Sequence, residues 1–397
     1  MRDNAIACEA CGDYPVNHAA MYFSKTFDAW GSDRLRSLER LIRFDRLSEP
    51  LRKRVILLVP HLIRGLHAVY GRKTFSEPDH VSMERAAVIW QEAKRRGLKM
   101  EQLTLFGFPI DSYRVRLDDR WVYFESLPIP PRTLADSIPY IDDKALFKEF
   151  LNRHRIPTAR SAIATDLQDA RSLLDGLRLP VVVKPRLGSN SRHTTPFIQT
   201  PAEFESAFRS AQQLCRYVLI EEHIFGHLCR ATVVDGTLVG FLESRQPWVT
   251  GDGRHSVYEL IAEKNRCKVD RVSDIILTPE NEAHIRRQGF APDSILAQGI
   301  SVAVARLPGR NSGGENREMP AHVHPKLRQY VEKTAQLMHA PLIGFDLIVR
   351  DPEADPDTQE WGFLEANTVP FIEIHNDPLY GQSSNVAAAV WDLWQTK

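Results

Sequence analysis

The sequence predicts an α+β protein with much antiparallel sheet, and three observations carry that prediction. Short apolar runs typical of strands alternate with segments of helical periodicity along most of the chain. Turn residues separate several of these runs, as at Asp118-Asp119 and Asp235-Gly236, which indicates hairpins. The 397 residues, 43% hydrophobic and 26% charged, have ordinary globular composition and a length suited to about two or three packed units.

The N-terminal part is predicted to contain an extension, residues 1–50, and a small α/β unit, residues 51–135. We expect a short helix around Asp33–Phe44 in the extension. The unit then begins with a short buried strand, Val55–Val59, which is followed by Pro60. Its other predicted elements are a helix from Ser82 with Gly97 as its cap, a strand at Leu103–Phe106, and a hairpin of Arg114–Leu117 with Trp121–Phe124.

The Pro-rich stretch Leu127–Pro131 is the predicted linker to a second unit, residues 141–397. In this unit Asp142 is expected to cap a helix that reaches about His154. The later elements are predicted as strands at Val181–Lys184, Tyr217–Glu222, Thr232–Asp235, Thr237–Leu242, Leu342–Val349 and Trp361–Asn367, and as helices at Ala202–Leu214 and Lys326–His339.

Charge and hydropathy exclude several classes of function. Lys+Arg 51 balances Asp+Glu 51, so the chain has no net charge that would attract a nucleic acid. No apolar run approaches the roughly 18–20 residues of a membrane span. No apolar signal core follows Met1-Arg2-Asp3-Asn4. We therefore expect a soluble, cytoplasmic protein with neither a nucleic-acid nor a membrane partner.

The cysteine pattern predicts neither disulfides nor a metal site. Five cysteines are too few and too scattered for a disulfide framework. Cys8-x-x-Cys11 has the spacing of metal ligands, but no second Cys/His pair follows at zinc-finger distance. No strand-then-helix pattern around the pair supports a redox role. We expect two free thiols in a loose N-terminal segment.

Three oxygen-bearing side chains near the C-terminus predict a metal site. Glu365 and Asn367 are two residues apart in a strand, so they project from the same face. A hairpin through the acidic loop Asp351–Glu360 would set Asp346 beside them. Such a set suits Mg²⁺, which takes a few carboxylates and leaves positions for phosphates. Spacing alone leaves open that each acid lies separately on a solvated face.

Two lysines supply a cationic counterpart to these acids. Lys184 ends a predicted strand and precedes a polar loop, and Lys144 lies in the first turn of its helix. A lysine at such a position binds phosphate as a point charge. The apolar strand that breaks into Glu221, Glu222 and Ile224 could bind an adenine edge through its main chain. For each lysine alone, an ordinary surface position is the alternative.

The order and spacing of these residues resemble the ATP-grasp superfamily. More narrowly, residues 141–397 look like the ATP-grasp module of cyanophycin synthetase and of bifunctional glutathione synthetase-type carboxylate–amine ligases. The segments that carry the resemblance are Val249–Ser256, Tyr258–Leu260, Asn311–Gly314, His324-Pro325, Glu365–Pro370, His375, Pro378, Gly381 and Asn385–Ala387.

The resemblance implies two α+β lobes that grip ATP between them, preceded by a small pre-ATP-grasp-like domain. It implies that Lys144, Lys184, Ser189 and Arg192 contact the ATP phosphates, that Glu221, Glu222 and Ile224 line the adenine pocket, and that Asp346, Glu365 and Asn367 hold Mg²⁺ or Mn²⁺. Arg245 and Arg306 are both candidates for the catalytic arginine, and the sequence does not choose between them. Arg230 and His375 are candidates to meet an acidic substrate, with a structural histidine as the alternative for His375.

Two features depart from the family pattern. Relatives carry a glycine-rich loop over the phosphates after the strand-end lysine, whereas this chain has Arg186–His193 with one glycine. Arg192 or His193 is expected to contact phosphate there instead. Leu228 stands where relatives usually carry an acid that bonds the ribose.

The function predicted from this resemblance is an ATP- and Mg²⁺-dependent carboxylate–amine ligase that acts through an acyl phosphate. The expected substrate is an amino acid or a peptide, and a homodimer is common in the superfamily. Two alternatives stay open, a non-catalytic nucleotide-binding protein and a phosphotransferase on the same scaffold. A zinc-protease site at His223 and His227 is not expected, because no acid follows the first histidine and Gly226 interrupts the helix it would need.

Overall fold

The computed structural model describes residues 8, 11, 16–42, 45–71, 84–131, 133, 141–188 and 192–394. Within these ranges the chain forms four antiparallel sheets with helices packed on them, so the predicted α+β class is confirmed. None of the described helices has the length and apolar character needed to cross a bilayer.

The N-terminal part is more helical than the sequence predicted. Its elements are α1 (His18–Ile42), α2 (Asp45–Tyr70), α3 (Glu84–Arg95), β1 (Met100–Leu105), β2 (Phe108–Leu117) and β3 (Arg120–Glu125). The helix expected around Asp33–Phe44 exists, but it begins at His18. The strand expected at Val55–Val59 is wrong, because this apolar run lies within α2, which continues through Pro60. A short apolar run fits either element, and here the helical periodicity of the flanking residues decides.

The three-stranded sheet β1-β2-β3 forms with the predicted hairpin at Asp118-Asp119, where both residues have positive φ, as a two-residue type I′ turn requires. Its core is shared with the far end of the chain. Buried α3 residues and Tyr113 pack against helix α10 (Val386–Asp392), and the indole Nε1 of Trp391 donates to the Ile89 carbonyl at 3.0 Å. The proposed boundary after residue 135 therefore separates sequence segments that share one core.

The next lobe is a four-stranded sheet of order β4-β7-β5-β6. Its elements are β4 (Ser161–Ala164), α5 (Leu167–Leu174), β5 (Val181–Pro185), β6 (Thr195–Ile198), α6 (Pro201–Gln212) and β7 (Val218–Glu222). A capping box of Thr200 and Glu203 starts α6, and Phe204 and Phe208 on its inner face pack on the sheet.

The largest lobe is a five-stranded sheet of order β12-β9-β8-β13-β14. Its elements are α4 (Lys144–Arg153), β8 (His227–Val234), β9 (Thr237–Arg245), β12 (Glu315–Glu318), α9 (Pro325–Leu337), β13 (Leu342–Val349) and β14 (Trp361–Asn367). Phe147 of α4 stacks on Phe345 and meets Phe363 edge-on, which packs this helix on the sheet. The cap of α4 is Asp143, one residue after the predicted Asp142, which instead accepts from the Thr368 N–H and hydroxyl at 2.8 Å each.

A small subdomain interrupts the large lobe between β9 and β12. It contains β10 (Trp248–Thr250), α7 (Val257–Cys267), α8 (Pro279–Arg287) and β11 (Ser301–Ala303). The strands β10 and β11 pair with each other, and a capping box of Ser256 and Glu259 starts α7. Val249, Ile261, Leu296 and Val302 are part of its separate core.

Candidate active site between the two sheets

Helix α4 joins the two larger sheets and carries lysines to both of them. Lys144 and Lys148 are four residues apart, so they lie on one face of the helix. Lys144 Nζ is 3.0 Å from Glu365 Oε2 on β14, whereas Lys148 Nζ is 2.8 Å from Glu221 Oε2 on β7. Sequence reasoning missed Lys148, although the four-residue spacing to Lys144 was a usable signal.

Glu221 lies between two lysines. Lys184 at the end of β5 approaches Glu221 Oε1 at 2.5 Å, opposite Lys148 on the other oxygen. All three side chains are buried. Burial opposes ionisation of Glu221, but the charges of Lys148 and Lys184 outweigh it and lower the pKa of Glu221 to about 2. Glu221 therefore stays ionised and fixes the ammonium groups of both lysines.

The predicted carboxylate pair forms on the large sheet. Asp346 on β13 pairs in register with Glu365 on β14, and Asn367 follows on the same strand. The guanidinium of Arg230 on β8 binds Asp346 through two bonds, Nε to Oδ1 at 2.5 Å and Nη2 to Oδ2 at 2.9 Å. Arg230 lies directly across from Asp346 in the β8–β13 ladder.

The two carboxyl groups have opposite pKa shifts. Burial and the charge of Glu365 raise the pKa of Asp346 to about 6, although Arg230 opposes this shift. Burial also disfavours the charged form of Glu365, but Lys144 and Lys184 outweigh it and hold its pKa well below the ordinary range. A carboxyl pair of this kind gains from an additional cation, because the cation relieves the repulsion between the two groups.

Two polar atoms in this group are buried without a hydrogen-bond partner among the described residues, Arg230 Nη1 and Asn367 Nδ2. Buried polar groups are rarely left unpaired in folded proteins, and both of these atoms are N–H donors, so they mark a place where a ligand with acceptor oxygens is expected. With Asp346 and Glu365, the Asn367 amide offers the hard oxygen donors that Mg²⁺ takes. The donor set therefore fits a magnesium ion.

A cavity of about 360 Å³ opens onto Lys144, Glu365 and Asn367. Its other walls are formed by Asp142, Asp143, Leu187 and Gly188, and by three residues of helix α1, Lys25, Asp28 and Ser32. Its volume falls within the range of small-molecule sites. The involvement of α1 was not predicted, since the extension had no assigned role.

An arginine at the start of the predicted phosphate loop fastens α1 beside this cavity. Arg186 is buried and forms paired bonds with Asp143, at 2.9 Å from Nε and 2.8 Å from Nη2. The same guanidinium binds Asp33 of α1 at 2.8 Å through both Nη1 and Nη2. Arg186 of the predicted phosphate loop thus binds both the N-cap residue of α4 and helix α1.

The fold and this arrangement can be compared with known proteins. No family model matches the chain. The chain is 25% identical over 319 residues to cyanophycin synthetase of Nostoc sp., an alignment that covers 77% of this chain and 34% of that protein. It is also 25% identical over 343 residues to the glutathione biosynthesis bifunctional protein GshAB of Mannheimia succiniciproducens, covering 83% of this chain and 44% of that protein.

Among solved structures, the bifunctional glutathione synthetase of Pasteurella multocida matches with a TM-score of 0.53 and 23% identity, covering 79% of this chain and 44% of that one. The chain has the ATP-grasp fold. The resemblance to ATP-grasp carboxylate–amine ligases that the sequence indicated is confirmed. The chain spans 34% and 44% of the lengths of the two curated relatives, so their names describe longer proteins.

The predicted adenine-binding segment forms the connection between the two ATP-grasp lobes. The N–H groups of Glu222 and His223 are already bonded to the carbonyls of Arg160 and Pro180 at 2.9 Å each. Ile224 is buried against the large sheet, where a side chain on Gly362 would come within 3.0 Å of its Cδ1. Main-chain recognition at Glu222 and His223 would therefore have to use their carbonyl groups.

Three predicted site residues have their partners elsewhere in the fold. Arg245 lines a separate cavity with Glu243 and Arg317, and Arg306 forms an ion pair with Glu280 in the small subdomain. A catalytic role for either arginine remains a prediction that this arrangement does not support. His375 is fully buried, with Nδ1 2.7 Å from Glu318 Oε2 and Nε2 2.8 Å from Thr232 Oγ1. Both ring nitrogens are used inside the fold, so the expected substrate contact of His375 is corrected to a structural one.

The altered phosphate loop also differs from expectation. Ser189 lies outside the described residues. His193 is buried and faces Cys11, whose Sγ is 3.3 Å from Nε2, so the predicted phosphate contact of His193 is wrong. The prediction of a loose segment with two thiols is also wrong in its placement, because Cys11 is buried against His18 and His193. A phosphate contact of Arg192, on the same turn, remains a prediction.

Proposed function

We propose that the chain is an ADP-forming carboxylate–amine ligase that acts on an amino acid or a peptide. The observation that carries the proposal is the cluster between the two sheets, where Lys144 and Lys184 are held by carboxylates beside the Asp346 and Glu365 pair. The likeness to proteins named as synthetases supports the same class of reaction.

In this proposal the lysines bind the polyphosphate. Lys144 stays charged although it is buried, because burial, which lowers its pKa, is outweighed by Glu365. Lys184 is held at a fixed position by Glu221, so little ordering remains to be done when the phosphates arrive. Phosphoryl transfer depends mainly on such positioning and on charge neutralisation.

Asp346, Glu365 and Asn367 would hold Mg²⁺, with Mn²⁺ as a substitute. When bound, the ion would neutralise phosphate charge as it builds up in the transfer. Asp346 also keeps Arg230 in place through two bonds, which leaves Nη1 of Arg230 to donate to an anionic substrate group.

The proposed reaction has two steps. An oxygen of the substrate carboxylate attacks the γ-phosphorus of ATP, the bond to the β,γ-bridging oxygen breaks, and ADP leaves. The amine then attacks the carbonyl carbon of the acyl phosphate, its proton is released, and inorganic phosphate leaves as the amide forms. Arg230 Nη1 would stabilise the oxygen that becomes negatively charged in the second step.

A thermal-shift titration with Mg·ATP tests the nucleotide site first. At about 100 times its dissociation constant a ligand stabilises the fold by roughly 2.7 kcal/mol, which shifts the melting temperature by a few degrees even in a large domain. The shift is expected to require Mg²⁺ and to vanish in Lys184→Ala and Glu365→Gln. Lys264→Ala is the matched control, because that lysine lies over Trp248 in the small subdomain.

Release of ADP in the presence of paired amino acids or peptides then tests the reaction. Turnover that requires both a carboxylate and an amine supports the ligase. A stable phosphorylated product from one substrate would replace it with a phosphotransferase. Absence of a Mg·ATP shift in the wild type would overturn the nucleotide site itself, and a shift without turnover would favour the non-catalytic binding protein.

A further inference from the structure

The charged cleft between the two larger sheets contains Lys144, Lys184, Glu221, Asp346 and Glu365. A second cluster of polar side chains lies outside this cleft, and the proposed reaction does not use it. Cys8, Cys11, His18 and His193 each contribute one ligand atom to this cluster, and these four atoms all lie within 4.8 Å of one another. Two of them come from the N-terminal segment, one from the first residue of α1, and one from the turn before β6.

The distances match those of a tetrahedral ion site. Zn²⁺ binds thiolate sulfur at about 2.3 Å and imidazole nitrogen at about 2.0–2.1 Å, so neighbouring sulfur and nitrogen ligands lie roughly 3.6 Å apart. The Cys11 Sγ is 3.1 Å from His18 Nε2 and 3.3 Å from His193 Nε2, and Cys8 Sγ is 3.7 Å from His193 Nε2. These three sulfur–nitrogen distances are therefore close to those of neighbouring ligands on one ion.

Surrounding groups orient two of the ligands. His193 Nδ1 lies 2.8 Å from the carbonyl of Ser210, which only a protonated Nδ1 can satisfy, so the lone pair is on Nε2 and faces the cysteines. The Cys11 N–H donates to the Cys8 carbonyl at 2.9 Å, which closes a tight turn between the two thiols. His193 and Cys11 are buried, and Cys8 and His18 are half-buried, so the cluster is partly shielded from water.

We propose that Cys8, Cys11, His18 and His193 bind one Zn²⁺ ion, in a closed structural site. A set of two sulfur and two nitrogen donors with four protein ligands and no open position is characteristic of structural zinc. In a metal-free chain these contacts would be hydrogen bonds between thiols and imidazole nitrogens, whereas one ion would bind all four ligand atoms at once. The proposal concerns the architecture of the chain and does not depend on the proposed ligase activity.

The ion would join three separate segments of the chain. The N-terminal segment and α1 would be fastened to the turn that follows the loop after β5. Two contacts outside the cluster also join α1 to later parts of the chain. They are the ion pair of Asp33 with Arg186 and the hydrogen bond from the Arg216 N–H to Thr26 Oγ1 at 3.0 Å. The proposed zinc site would thus hold α1, the helix that supplies Lys25, Asp28 and Ser32 to the cavity wall.

Metal analysis of the purified full chain tests the proposal without any activity assay. We expect one zinc per chain, with an X-ray absorption spectrum that reports two sulfur and two nitrogen neighbours. Cys11→Ser and His193→Ala are expected to lose the metal. Cys267→Ser is the matched control, because that cysteine is exposed and bonds only to Glu263 within the described part of the chain, and it should keep its zinc.

Two further outcomes are decisive. A wild type with no stoichiometric metal after growth with zinc, a Cys8–Cys11 disulfide, or a shell made of oxygen and nitrogen alone would each overturn the proposal. Since a ligand variant can fail to fold, the wild type is also treated with a chelator. Removal of zinc is expected to expose Cys8 and Cys11 to a thiol reagent and to speed hydrogen exchange in α1, and both effects should reverse when zinc is restored. Unchanged thiol reactivity and unchanged hydrogen exchange after complete zinc removal would contradict the proposal that zinc holds these segments together.

Discussion

The charged cleft and the Cys/His cluster are both groups of polar side chains inside the fold, but their side chains are partnered in different ways. In the cleft, Asp346, Glu365 and Glu221 each have a cationic partner within the protein, as Glu221 has Lys148 and Lys184. In the Cys/His cluster the four ligand atoms lie within 4.8 Å of one another. The acids of the cleft therefore have cationic partners before a ligand arrives, whereas the proposed ion would be the common partner of the cluster.

This difference predicts opposite responses to perturbation. Removing one charge from the cleft leaves its partners buried without compensation, which costs stability directly. Removing the proposed ion from the cluster releases the segments that it joins, while the two larger lobes keep their own cores.

The largest effect is expected for Glu221→Gln. The substitution keeps the shape of the side chain but leaves two buried lysines without their shared carboxylate, so we expect the free energy of unfolding to fall by about 3–5 kcal/mol at pH 7. Urea denaturation of the metal-free chain measures it. Glu222→Gln is the control, because that neighbour is partly exposed, and its change is expected to be small.

The pH dependence sharpens this prediction. The pKa of Glu221 is lowered to about 2 in the fold, so its stabilising charge is fully present above the ordinary pKa of a glutamate and is lost as the pH falls toward 2. The difference between wild type and Glu221→Gln should therefore shrink as the solution is acidified from pH 5 to pH 3. Equal stability of the two proteins at pH 7 would show that the lysines are not held as charges by Glu221.

The two regions also differ in how far the sequence predicts them. The cleft residues follow the order of a known superfamily, and strand periodicity alone places Glu365 and Asn367 on one face. The Asp346 to Glu365 pairing needs only a hairpin between neighbouring strands. These contacts are local in the chain or repeat a known pattern, and this is why they could be predicted.

The cluster could not be predicted in this way. Cys11 and His193 are separated by 182 positions, and His193 lies in a loop that the family pattern assigns to phosphate. The zinc-finger rule looks for a second ligand pair nearby in sequence, and only the folded chain brings the fourth ligand to the first three. The substrate contact predicted for His375 was wrong for a related reason. A sequence does not reveal that both ring nitrogens are already bonded to Glu318 and Thr232.

A smaller effect is expected from acid on the metal affinity of the cleft. Burial and Glu365 raise the pKa of Asp346 to about 6, so below that pH a proton competes with a metal ion for the carboxylate. The affinity for Mg²⁺ should fall by up to about tenfold for each pH unit below 6 and level off above it. Calorimetric titration between pH 5 and pH 8 measures this dependence.

The same carboxyl group gives the sign of a stability effect. The folded chain holds this proton more tightly than the unfolded chain, so the stability it contributes is present below the ordinary pKa of an aspartate and is lost as the pH rises through 6. Asp346→Asn removes both dependences and weakens Mg²⁺ binding at every pH. A wild-type affinity that stays constant from pH 5 to pH 8 would place the metal away from Asp346.

The smallest effect is expected for Asp33→Asn. This substitution tests the ion pair between α1 and Arg186 independently of the proposed zinc site. Arg186 keeps its bonds to Asp143, so the loop stays in place and only the link to α1 is weakened. Because Asp33 is 45% exposed, solvent screens the pair, and we expect a loss of about 1 kcal/mol. Opening of α1 should then be about fivefold more frequent, measured as faster hydrogen exchange of its amides, with zinc content unchanged. Asp28→Asn is the control, because Asp28 pairs with Lys25 on the same helix. If the Asp33 variant lost zinc as well, the ion pair and the cluster would act as one fastening rather than two, and the exchange of α1 would then rise as far as it does after chelation.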